Sequence, residues 1–167
     1  MNQPRPSPTT TSCYICLEDD TDSELLRNCA CRGEDGWAHV ACLAKFAASK
    51  ITEAQRNKDY SVNFATVWQN CILCKMSYMQ NMGLAMAEAC VENYKHLPDT
   101  NAARWWSLDY TAAINIDIGN NDTVLILFNR LLEIYKIVTE QGWDIRRIEI
   151  KSSWRYGFGL WENGTIR

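Results

Sequence analysis

Cys29-Ala30-Cys31-Arg32-Gly33 and, three residues further on, Trp37-Ala38-His39-Val40-Ala41-Cys42-Leu43 form the stretch that decides how this 167-residue chain folds. It holds a Cys-x-Cys pair, a gap of seven residues and a His-x2-Cys pair. Working outward, Cys13/Cys16 lies twelve residues upstream of Cys29, and Cys71/Cys74 follows Cys42 after twenty-eight residues. Zinc takes thiolate and imidazole ligands in fours, and a pair separated by one to three residues grips one ion from a single turn. Eight ligands in four pairs are therefore enough for two complete tetrahedral sites. Seven of the eight cysteines belong to the pattern, and only Cys90 is outside it. Which pairs share an ion is not fixed by spacing, since four pairs in two sites allow three arrangements.

Bulk composition fits this reading. The chain is 47% hydrophobic and 22% charged, the balance of a globular protein. Its net charge is −3, and seven zinc-bound thiolates with two ions would take it to −6, so nucleic acid is not expected as a partner. An even cysteine count with the sequons at Asn121 and Asn163 would suit a disulfide-bonded secreted protein. The N-terminal Met1-Asn2-Gln3-Pro4-Arg5-Pro6-Ser7-Pro8 has no apolar run resembling a signal peptide, however. Cys-x2-Cys pairs in a reducing compartment are metal grips. The longest aliphatic run, Val124 to Phe128, is too short to cross a bilayer. The expectation is a soluble cytoplasmic or nuclear protein with no membrane insertion.

Residues 1–11 are Pro-, Thr- and Ser-rich and read as a disordered tail. From Cys13 to Cys42 the chain reads as loop, with Gly33 and Gly36 as breaks. A helix is predicted from Ala41 to about Asn57, where Ala and Lys abound and no Gly or Pro intervenes. Tyr60, Val62, Phe64, Thr66 and Trp68 then alternate with mostly polar residues, predicting a short strand into the last pair. Beyond Cys74 three helices are predicted. The first runs from Ser77 to His96, ahead of Pro98, and the second from the Asp99-Thr100-Asn101 cap cluster to Asp117, closed by Gly119. The third starts after Asn121 or Asp122 and ends at Gly142. It carries Val124, Leu127, Phe128, Leu131, Ile134, Tyr135 and Val138 as its apolar stripe. Arg146, Arg147 and Lys151 could lie on one more helix, while Tyr156 to Trp161 reads as irregular or strand-like.

The ligand order and gaps resemble the RING-CH (RING-variant) finger of MARCH-type ubiquitin ligases. Cys29-Ala30-Cys31-Arg32-Gly33 with Trp37-Ala38-His39-Val40-Ala41-Cys42-Leu43 matches that family's central signature, and Cys71-Ile72-Leu73-Cys74-Lys75 its last knuckle. The resemblance covers about residues 12–78. A PHD finger, a reader of histone tails, has the same ligand order. It usually has two or more residues between the third and fourth cysteines, four or five before the histidine, and an aromatic where Gln69 stands.

The resemblance implies a small α+β cross-brace, with Cys13, Cys16, His39 and Cys42 on one Zn2+ and Cys29, Cys31, Cys71 and Cys74 on the other. It also implies that the finger recruits a ubiquitin-conjugating enzyme charged with ubiquitin. The docking positions fall on Ile15, Phe46, Ile72 and Leu73, with Lys75 as the cation after the last ligand. Phe46 stands where such fingers often carry Trp, and Lys is a poorer multi-donor fork than Arg. The four apolar residues read equally as the finger's small core, and Lys75 as an ordinary surface lysine. Closed four-ligand sites do not activate water, so no catalytic residue is expected within the chain.

Residues 79–167 more distantly resemble the helical part of algal RING-CH proteins that continue into tetratricopeptide-like repeats, through Gly83-Leu84-Ala85, Leu97-Pro98-Asp99-Thr100 and Trp105/Leu108. There is room for about one helical hairpin after the bridging helix, and no internal period is visible. This all-α segment is the expected seat of a protein substrate. Cys90 mid-helix, and Trp105, Trp106 and Leu108, read as core. The alternatives to a ligase are a non-catalytic zinc-finger interaction module and a PHD-like reader.

Overall fold

The computed structural model describes residues 11–27, 29–31, 36–59 and 61–140. The expectations for the N-terminal tail, for Gly142 as a helix end, and for Arg146, Arg147, Lys151 and Tyr156 to Trp161 lie outside the described residues. Two antiparallel strands, β1 (Leu25–Leu26) and β2 (Ala38–His39), pair Leu25 with His39 and Leu26 with Ala38. Five helices follow: α1 (Val40–Asn57), α2 (Phe64–Gln69), α3 (Gln80–Tyr94), α4 (Ala102–Asp117) and α5 (Asn121–Glu140). This miniature sheet is the β part of the expected α+β finger, but its position was not legible in the sequence. Two-residue strands are too short to show a period of two, and only pairing identifies them.

Helix α1 arises where the sequence predicted it. Leu43, Ala47 and Ile51 recur every fourth residue and form its buried edge. It stops at Lys58, whose φ of 54° is left-handed, with Asp59 N–H donating to the Ala54 carbonyl at 2.9 Å. That 6→1 bond is the Schellman end.

The predicted strand at 60–68 is instead the short helix α2. The side chain of Asn63 accepts from Thr66 N–H at 3.0 Å, which caps the first turn. Phe64 and Trp68, read as alternate residues of a strand, are also four apart, so one helical face carries both. The two periods coincide over so short a run, and the cap decides between them. Similarly, α3 starts at Gln80, not Ser77. Ser77 is held back by a bridge to Asn70, its hydroxyl donating to the Asn70 side-chain oxygen at 3.1 Å. The helix ends at Tyr94, short of His96.

Asn101 caps α4 as expected, accepting from Ala103 N–H at 2.9 Å. Gly119 (φ 76°) closes it and reverses the chain into α5, making a helical hairpin. Only part of the α5 stripe is buried. Val124, Leu131, Ile134 and Val138 pack inward, whereas Phe128 and Tyr135 stay exposed. Leu108 is buried as predicted, but Trp105 and Trp106 are only partly so.

The finger and the following helices share one core. Leu43, Trp68 and Cys71 from the finger lie in the same buried cluster as Met82, Met86, Cys90, Tyr94 and Tyr110. Phe64 and Trp68 of α2 pack against Tyr94 of α3, tilted and edge-on respectively, with ring centroids 5.4 and 5.7 Å away. The Tyr110 hydroxyl of α4 lies 3.5 Å from the Trp68 carbonyl and 3.4 Å from that of Gly83. Gly83 also lets the chain just ahead of α3 lie close, since a Cβ there would sit 3.1 Å from the Tyr78 carbonyl oxygen. Further out, Asp99 before α4 pairs with Arg130 of α5 at 2.6 Å. Among the described residues no helix is long and apolar enough to cross a membrane.

Candidate metal centre

The first and last ligand pairs sit on turns of the same construction. Cys13 N–H donates to the Glu18 carbonyl at 2.8 Å, and Cys71 N–H to that of Met76 at 2.9 Å. Leu17 N–H returns to the Cys13 carbonyl and Lys75 N–H to that of Cys71. Leu17 (φ 67°) and Lys75 (φ 63°) are both left-handed at this point, a conformation that ordinary L residues adopt at a cost. The repeated turn aims both cysteines of each pair to one side.

The middle pairs are placed by other means. His39 ends β2 and is also the residue before α1, so Cys42 follows it one turn into the helix. Cys29 and Cys31 lie beside Gly36, whose φ is 91° and whose missing Cβ leaves room: a Cβ would stand 2.8 Å from that of Cys31. Arg27 fixes the same segment by donating to the Cys31 carbonyl at 2.6 Å while lying 5.8 Å over the Trp37 ring.

These elements bring the ligands together as Cys13, Cys16, His39 and Cys42 in one group and Cys29, Cys31, Cys71 and Cys74 in the other, the ligand atoms within 4.8 Å of one another. Of the three possible arrangements, this is the interleaved cross-brace. Its dimensions fit zinc. A tetrahedron with Zn–S of about 2.3 Å and Zn–N of about 2.0 Å has S–S edges of about 3.8 Å and S–N edges of about 3.5 Å. Cys31 and Cys71 sulfurs are 3.7 Å apart, and His39 Nδ1 is 3.3 Å from Cys16 Sγ and 3.9 Å from Cys42 Sγ. The donor sets, three thiols with an imidazole and four thiols, are those of closed structural zinc sites. The two clusters fit two zinc ions.

His39 is oriented from behind, its Nε2 lying 2.9 Å from the Asp19 carbonyl oxygen. A proton on Nε2 donated there leaves the Nδ1 lone pair for metal. This partner was not legible in the sequence, because a backbone carbonyl has no residue type.

Burial opposes ionisation of the ligand thiols. At Cys13, hydrogen bonds from backbone N–H groups of Cys16, His39 and Ile15 outweigh it and bring the thiol down to about 7. Cys74 is likewise brought down to about 7, by the backbone of Met76 and Ala30 and by Cys31. Burial and then the neighbouring thiols push Cys42 up to about 12 and Cys31 also upward, while burial raises Cys29 against opposing hydrogen bonds from Cys31. Each cluster thus has one thiol lowered and at least one raised, and a divalent cation would hold the raised ones as thiolates. Cys90, by contrast, is fully buried in α3 outside both clusters, and burial alone raises its thiol.

Comparison with known proteins agrees with this arrangement. Residues 13–74 match the family model of the RING-variant domain. Those residues form a RING-variant (RING-CH) finger. Over 71 residues, 41% of this chain, the sequence is 34% identical to the E3 ubiquitin-protein ligase MARCHF5 of Xenopus laevis. The match spans 22% of that relative's length. No solved structure matches the chain.

The repeated turn also sorts the expected docking residues of the RING-variant finger. Ile15 and Leu73 occupy the same place on their knuckles, and both point outward, 37% and 49% exposed. Tyr14 and Ile72 occupy the preceding place and are half-buried, as is Phe46 on α1. Lys75 is exposed, and its ammonium folds back to donate to the Ile72 carbonyl at 2.6 Å. Trp37 packs, partly buried, against the core. Leu17, Met76 and Met79 are further exposed apolar side chains near the knuckles that the sequence reading passed over.

Proposed function

We propose that this chain is a RING-type ubiquitin ligase. Its finger would dock a ubiquitin-conjugating enzyme charged with ubiquitin and favour transfer to a substrate lysine, while α3–α5 hold the protein substrate. The observation that carries this reading is the pair of closed, interleaved clusters within a RING-variant domain, with Ile15 and Leu73 turned outward on matching knuckles. Every coordination position is taken by a side chain of the chain itself, so the ions are scaffold and the gain in rate comes from orientation. Ile15, Phe46, Ile72 and Leu73 supply the apolar docking face. Lys75 supplies a cation for ubiquitin, reached by releasing its bond to the Ile72 carbonyl. The common core of finger and helices supports the same reading, because it fixes a bound substrate relative to the docked enzyme.

Autoubiquitination by the zinc-loaded protein, across a broad panel of conjugating enzymes, tests the proposal. Chain formation is expected, and Ile15→Asp with Phe46→Ser should abolish it while both metal equivalents are retained. No transfer with any member of the panel, from folded zinc-loaded protein, would reduce the chain to a non-catalytic interaction module.

A further inference from the structure

Helix α5 is apolar around most of its circumference, yet among the described elements only α4 packs substantially against it. A helix of that kind is ordinarily covered on more than one side. Beside its buried edge runs a second stripe: Leu125, Phe128, Leu132 and Tyr135, 63%, 39%, 50% and 42% exposed. Their three-four-three spacing is that of a seam against another packed segment. Asp122, Glu133 and Glu140, with Lys136 among them, follow its outer edge and leave it net acidic, Glu133 already paired with Arg130.

We infer that this stripe is the seat of the chain's own residues 143–161. That stretch begins three residues after α5 ends, and nine of its nineteen residues are large and apolar, among them Trp143, Ile148, Trp154 and Trp161. It carries four basic residues (Arg146, Arg147, Lys151, Arg155) against two acidic ones, the complement of the acidic edge. The stripe is about 15 Å long at 1.5 Å per residue. Nineteen residues span about 28 Å even at the helical rise, so the stretch can turn back from Glu140 and run the length of the stripe. A second copy of the chain fits less well. Four side chains fall short of the roughly 1,200 Å² that a stable interface buries, and in a two-fold antiparallel pair the acidic edge would face itself.

The test uses the full zinc-loaded chain. With a photo-crosslinking phenylalanine analogue in place of Phe128, crosslinks should map by mass spectrometry to residues 143–161 of the same molecule. In parallel, Leu125→Gln/Leu132→Gln, both solvent-exposed positions, should reduce hydrogen-exchange protection of 143–161 at least about tenfold. Protection of α3 and α4 and the metal content should not change. Crosslinks to a second copy, crosslinks elsewhere, or no intramolecular product would overturn the inference. So would protection of 143–161 that the double substitution leaves unchanged.

Discussion

Replacing Trp68 by Ala tests whether finger and helices are one structure. Trp68 has no exposed surface, lies three residues before the ligand Cys71, and packs edge-on against Tyr94 of α3 at 5.7 Å and tilted against Phe64 at 6.3 Å. A buried tryptophan removes on the order of 200 Å² from water. At about 25 cal/mol/Å² that is about 5 kcal/mol, and Trp→Ala in a packed core costs about 3–5 kcal/mol. Domains of this size are stable by only about 5–15 kcal/mol, so the loss is a large share of the total. Urea unfolding of the zinc-loaded protein should be followed by circular dichroism, which reports the helices, and by a zinc-sensitive dye, which reports the finger. Both transitions should move together to lower urea by the equivalent of about 3–5 kcal/mol. A helical transition that moves by less than about 1 kcal/mol while the dye signal shifts would refute the common core.

Four other single-site substitutions have defined outcomes. Cys71→Ser should lose at least one of two metal equivalents, whereas Cys90→Ser should keep both and cost about 1–3 kcal/mol, because a hydroxyl is costlier than a thiol to bury; elemental analysis and denaturation separate the two. Leu17 is exposed and left-handed, so Leu17→Gly exchanges a strain of about 1–2 kcal/mol for a glycine entropy cost of about 0.5–1 kcal/mol. A small rise in melting temperature is expected, and a fall would contradict the turn geometry. Burial raises the Asp109 carboxyl to about 6 from an ordinary 3.8. The folded state therefore binds a proton that the unfolded state has already lost, and stability falls as pH rises from about 4 to 6, then levels. Asp109→Asn should remove that slope and stabilise the protein at pH 7 by about 1–3 kcal/mol, read from denaturation midpoints across the pH range.

The ligand gaps by themselves determined the zinc-finger class, and the Ala-rich run, Asn101 and Gly119 determined α1 and the limits of α4. These are local signals: metal-ligand spacing, caps and a left-handed glycine act over a few residues and survive being read in one dimension. The exposed half of the α5 stripe was not legible, because periodicity marks a face as apolar without saying what covers it. Nor was α2, where Phe64 and Trp68 suit a strand and a helix alike until Asn63 caps the turn. The pairing of ligands from four distant turns, the seating of His39 on the Asp19 carbonyl and the fusion of finger with helices through Trp68, Tyr94 and Tyr110 were decided only in three dimensions. Each depends on contacts between residues far apart in the chain, whose closeness no local pattern records.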